Sequence, residues 1–184
     1  LIIQTGIHDA IARKLNAKGN LSQNAIAEGI INNVRKTIIR EQLTDPRFYE
    51  QMSRLLDDLI RRSREDAQAY EEFLREAQAL VQRLAAKHPE PGVPAALHGR
   101  PEAVVLYNNL DSIPATSFRY PASNEDKASL ALRLDSVVRE SAPAGWKGDQ
   151  AREAQVLNAI YPVLDRDREA TRALFDIIRN QPGY

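Results

Sequence analysis

From Ile26 to Leu59 apolar residues recur every three or four positions and are interrupted once, at Asp45-Pro46. That spacing gathers them on one side of an α-helix, whereas a strand would scatter them over both faces. Upstream of the interruption the stripe is Ile26, Ile30, Val34, Ile38 and Ile39. Downstream it is Phe48, Met52, Leu55, Leu56 and Leu59, with Arg47, Glu50, Arg54, Asp57 and Arg61 turned to water. The interruption is itself a helix start. An aspartate at N-cap accepts from the first free N–H groups, and a proline at the first helical position gives up an N–H that has no partner there. Two amphipathic helices therefore meet at a tight corner.

The same periodicity runs through the rest of the chain. Ile7, Ile11 and Leu15 predict a short helix, and Ser22 is placed to cap the long helix that ends near Glu41. Gly29 inside that helix costs about 1 kcal/mol relative to alanine. A third helix, opening at Ser63 or Asp66 and ending near Lys87, carries Tyr70, Phe73, Leu74, Ala77, Leu80, Val81 and Leu84 on one face. Short turns between these helices favour antiparallel neighbours. From His88 to Pro101 four prolines and two glycines rule out a helix, and the stretch reads as a linker. Beyond it, Pro101 opens a short helix to Leu110, and Thr116–Tyr120 alternates weakly, as a short extended piece would. Ser123 caps one further helix, Asp149 begins the next, Pro162 bends the end of that second one, and a last helix spans about Asp167 to Asn180. The expected fold is all-α: a multi-helix bundle in two lobes, residues 1–88 and 102–184, joined by a Pro/Gly-rich linker at 89–101.

Composition narrows the function. The 184 residues carry 25 basic and 25 acidic side chains, so the basic excess usual in an autonomous DNA-binding domain is missing. The chain has no cysteine, which removes disulfides and cysteine-bearing zinc sites and suits a reducing compartment. No run of eighteen apolar residues supports a membrane span, so no membrane partner is expected. The chain opens at Leu1 in mid-pattern and reads as a piece of a longer protein.

Five short strings carry a family likeness. They are Asn32-Asn33-Val34-Arg35-Lys36 with Ile38-Ile39; Asp45-Pro46-Arg47-Phe48-Tyr49-Glu50 continuing to Met52–Ile60; Tyr70-Glu71-Glu72-Phe73-Leu74; Leu106-Tyr107-Asn108-Asn109-Leu110; and Gly145-Trp146-Lys147-Gly148. In that order and spacing the chain, from about Gly19 to Tyr184, resembles the C-terminal helical region of the R (restriction, motor) subunits of type I restriction-modification enzymes. Pro182-Gly183-Tyr184 is similar to that family's natural end, and the stretches 88–101 and 112–121 depart most from its pattern. The resemblance implies a prokaryotic cytoplasmic protein whose parent cleaves DNA with ATP and magnesium, acting with modification (M) and specificity (S) subunits. It also implies that this region is a non-catalytic assembly element that holds no cofactor of its own and reaches DNA through the parent complex.

Read from the residues, the chemistry is equally sparse. None of the eight glycines opens a phosphate loop. His8, His88 and His98 are too scattered to form a helical metal pair. Glu125-Asp126-Lys127 with Asp111 upstream imitates a nuclease metal site, but it falls where a helix cap belongs, and there acidic residues complement the dipole. Arg61, Arg62 and Arg64 suit the end of a helix; the competing reading is a phosphate-contacting patch, with Arg35, Lys36 and Arg40, along a DNA path. Asn32, Asn33, Arg35, Tyr49, Tyr107, Asn109 and Trp146 are the remaining family-pattern residues. The amides are expected to cap or to fix register, and Trp146 to fill a gap between helices.

Overall fold

The structure is a computed structural model that describes residues 23–65, 70–86 and 93–184, and every element among them is helical. The chain divides into two units. Leu1–Gln42 with Phe48–His88 forms the first, and Leu43–Arg47 with Pro89–Tyr184 forms the second. The predicted helix at 6–15 and the Ser22 cap lie outside the described residues.

In the first unit α1 spans Gln23–Glu41, α2 Pro46–Glu65 and α3 Tyr70–Ala86. Ile30, Val34 and Ile38 of α1 meet Met52, Leu56 and Leu59 of α2 and Phe73, Ala77 and Leu80 of α3 in one apolar cluster. Two expectations need correction. Ile39 is 59% exposed and Leu55 40% exposed, while Tyr49, not counted on the inner face, is buried beside Phe48 with ring centroids 5.1 Å apart. The buried stripe of α2 steps Tyr49, Met52, Leu56, Leu59, and Leu55 falls at its rim. A 3.6-residue period leaves the exact rotation of a stripe open by about one residue, and only the packed neighbours decide it.

The second unit contains a 3-10 turn at Ala95–Leu97, α4 at Pro101–Asn109, α5 at Asn124–Ser141, α6 at Gln150–Ile160, a 3-10 turn at Tyr161–Leu164, and α7 at Arg168–Arg179. Its core centres on Leu97, Leu106, Leu134, Val156, Leu164 and Leu174, none of them exposed. Leu97 sits in the Pro/Gly-rich stretch, so one residue of that stretch belongs to the packed interior. The caps obey local chemistry. Ser123 Oγ accepts from the N–H of Asp126, Asp149 from Ala151 and Arg152, and Asp167 from Ala170. At Pro162, α6 gives way to the 3-10 turn, and Asp165 and Arg166 follow with φ of 53° and 56°, two non-glycine residues in the left-handed region. Residues 116–120 form no strand; the backbone of 116–119 is held instead by the side chains of Asp165 and Asp167, just before α7.

Candidate functional site

The first cationic group read from the sequence is largely neutralised. The Arg62 guanidinium grips both carboxylate oxygens of Glu76, one at 3.0 Å, and that hydrogen bond, with the glutamate charge, holds its proton more firmly than usual. Arg61 lies 3.5 Å from Asp58, Arg35 3.7 Å from Asp57, and Arg40 2.8 Å from Glu41. The side chain of Arg64 lies outside the described residues. Exposed pairs of this kind add little stability, but each carboxylate cancels the charge that a phosphate would need. Asn32 is exposed, and the Asn33 carbonyl accepts from the Thr37 hydroxyl at 3.0 Å.

The second unit has three polar hubs. In the first, Asp45 and Asn109 are both buried. Asn109 Nδ2 donates to Asp45 at 2.7 Å and to the Val105 carbonyl at 2.8 Å, while its Oδ1 accepts the backbone N–H of Arg47 at 3.1 Å. Asn108 donates to the other Asp45 oxygen at 2.9 Å, and Gln181 donates to the Thr44 carbonyl. A side-chain amide 62 residues away thus satisfies one of the free N–H groups in the first turn of α2.

The second hub is Asp167, which is 2% exposed. One carboxylate oxygen accepts from Ala170 N–H at 2.9 Å. The other accepts from the successive N–H groups of Thr116 at 2.6 Å, Ser117, and Phe118 at 2.8 Å. Consecutive backbone donors converging on one anion form a nest. The hydrogen bond from Ala170 is the largest cause, followed by that from Ser117, of a carboxyl held far below the usual range; burial opposes them and loses. Asp165 accepts from the N–H of Arg119 at 3.0 Å, extending the clamp by one residue.

The third hub is Asp135, 1% exposed on α5, which accepts from Arg139 at 3.0 Å and from the Tyr184 hydroxyl at 2.8 Å, with Arg100 at 3.7 Å. Arg139 also reaches Glu102 at 2.9 Å and covers the Tyr184 ring. Burial, then the Asp135 charge, pushes the Tyr184 phenol up out of the range of ordinary titration, and burial pushes the neighbouring Lys147 ammonium down. The signal for Asp135 was legible and unused: an aspartate next to Leu134 on the apolar face, with an arginine one helical turn on.

The remaining sequence candidates fall into place individually. Tyr107 is buried, with the Lys127 ammonium 4.2 Å from its ring centroid, and Lys127 pairs with Asp111 at 3.0 Å. Lys127 and Asp111 of the nuclease-like pattern are thereby spent on each other, and Glu125 and Asp126 occupy the first turn of α5. Trp146 is 3% exposed, tilted against Phe175 at 5.8 Å, between Gly145 and Gly148, whose φ values of 64° and 85° only glycine adopts freely. His98 is exposed, and His8 and His88 lie outside the described residues. Among the described residues no group of three or more His, Asp or Glu side chains is arranged to hold a metal ion. No described helix is long and apolar enough to cross a membrane. An open cleft of about 270 Å³ lies among Leu43, Pro46, Ile113, Pro114, Ala173 and Ile177. No protein-family model matches the chain, and neither the curated proteins nor the solved structures give a significant match.

Proposed function

We propose that the chain is the C-terminal helical domain of a type I restriction enzyme R subunit, and that it serves assembly with the M and S subunits and not catalysis. The observation that carries this reading is the union of two of the family-like strings. Asp45-Pro46-Arg47 and Asn108-Asn109, some sixty residues apart, are joined by three hydrogen bonds that use both ends of the Asn109 amide. The two strings thus meet in the fold at one buried polar cluster, as parts of a single structural pattern would. The Gly-Trp-Lys-Gly string supports it too, with both glycines at positive φ and the tryptophan buried.

The chemistry available suits a scaffold. Among the described residues the buried carboxylates of Asp45, Glu102, Asp135 and Asp167 are each hydrogen-bonded to side chains or backbone, an arrangement that holds helices in register. Mixed charge on long helices suits a protein partner better than it suits bare duplex. In the parent enzyme, ATP and magnesium would belong to other domains.

The test is direct mixing. The purified chain is expected to co-migrate in gel filtration with an M–S methyltransferase core from a type I system encoded with it, at moderate salt and without DNA. Failure to associate at any salt would remove the assembly reading. The chain is also expected to neither hydrolyse ATP nor nick DNA; reproducible magnesium-dependent cleavage by pure protein would contradict a scaffold.

A further inference from the structure

We infer that the second unit carries a contact surface for the phosphodiester backbone of a nucleic acid, formed by Arg119, Arg166, Arg168 and Arg172. The inference does not depend on the assembly role. It starts from a contrast between arginines. Arg35, Arg40, Arg54, Arg61, Arg62, Arg100, Arg139, Arg152 and Arg179 all have a carboxylate within 4 Å. Arg119, Arg166, Arg168 and Arg172 are exposed, and among the described residues their guanidinium groups have neither an ion pair nor a hydrogen bond.

The fold brings these four together. The Asp165 carboxylate accepts the backbone N–H of Arg119 at 3.0 Å, which sets residue 119 against the segment that holds Arg166. The Asp167 nest fixes residues 116–118 just before it. Arg168 and Arg172 are one helical turn apart, about 6 Å, on the side of α7 opposite Leu174 and Ile178. Arg166 is carried at φ 56° immediately after Asp165 at φ 53°, a conformation that costs backbone energy and persists only where its surroundings impose it. The N-terminus of α7 adds nothing to the surface, because Asp167 already occupies it.

The carboxylates nearby are Asp165, Asp167, Glu169 and Asp176. Asp167 is buried in its nest, Asp165 is turned to Arg119 N–H, Glu169 accepts from the Thr116 hydroxyl at 3.0 Å, and Asp176 lies 4.0 Å from Arg179. These bonds leave the carboxylate charges in place, so what the surface offers a phosphate is its unpaired guanidinium forks, which keep donors for bidentate contact, and not a large excess of positive charge. Tyr120, 48% exposed, stands next to Arg119 with its hydroxyl bonded to the Ile113 carbonyl at 2.7 Å and its ring against Phe118. A rigid aromatic beside a cation offers a base a place to stack.

The experiment is fluorescence anisotropy of the 184-residue chain with a labelled duplex and with the single strand of the same sequence, across a salt series. The expected slope of log affinity against log salt is about −3 to −4 for four neutralised phosphates on duplex. R168A/R172A should weaken binding about tenfold at low salt and flatten the slope by about 2, whereas R172K keeps the slope and R133A, another exposed arginine, changes nothing. Y120A is expected to weaken the single strand more than the duplex; no loss on either probe would assign the contact to the phosphate backbone alone. The inference fails if affinity and slope are the same in R168A/R172A as in the parent chain. It also fails if polyglutamate competes as well as DNA, which would make the surface a dock for an acidic protein. Circular dichroism of each variant separates lost contact from lost fold.

Discussion

At the scale of single residues, Asp167 and Asn109 do the most with one side chain. The Asp167 carboxyl titrates below its unfolded value because folded backbone N–H groups stabilise the charged form. The sign follows: its contribution is fully present above about pH 4, and is lost progressively as pH falls below that. Thermal melts should show D167N several degrees below the parent chain at pH 7, with the gap narrowing as the pH is lowered through the acid range. A gap that stays constant from neutral pH to pH 2 would rule out the nest as its origin. For Asn109, removal of the amide takes away the hydrogen bonds it makes with Arg47 N–H and with Asp45 in a buried place. N109A is expected to cost about 2 to 3 kcal/mol in urea denaturation, and N109D more, because it sets a second carboxylate against Asp45.

Elements are held by which edge of each stripe is covered. In α2 the sequence alone ranks Leu55 with Met52, but Leu55 is 40% exposed and Met52 fully buried. L55E should therefore change stability by less than about 0.5 kcal/mol, whereas M52A should cost about 2 to 4 kcal/mol, measured by chemical denaturation. Comparable losses at the two positions would place the stripe where periodicity alone put it. Between α5 and α6 the Gly-Trp-Lys-Gly turn needs positive φ on both sides of a buried ring. G148A meets no atom within 4 Å, so any loss must come from backbone conformation, about 1 kcal/mol.

At the scale of the whole molecule, the second unit is not continuous in sequence, since it includes Leu43–Arg47. Those five residues supply the partners of Asn108, Asn109 and Gln181 through four hydrogen bonds. A chain cut to residues 89–184 should consequently unfold at lower denaturant than the same unit in the intact protein, by about 2 to 4 kcal/mol. Equal midpoints would mean that the corner contributes no stability.

Helix positions and starts were legible from residues near one another. Apolar spacing, Asp45-Pro46, Ser123, Asp149 and Pro162 act over one turn of helix, and the elements of the fold begin and bend where those signals stand. What they could not state is which distant group answers each polar side chain. Asp167 reads in sequence as no more than the approximate start of the last helix; the fold makes it the cap of that helix and adds Thr116, Ser117 and Phe118, about fifty positions away. Arg62 and Arg172 look alike in sequence; one is gripped by Glu76 and the other is bare. The physical reason is range. Helical periodicity and capping are settled within four residues, whereas the partner of a buried amide or an exposed guanidinium is settled by tertiary packing, which the local pattern does not encode.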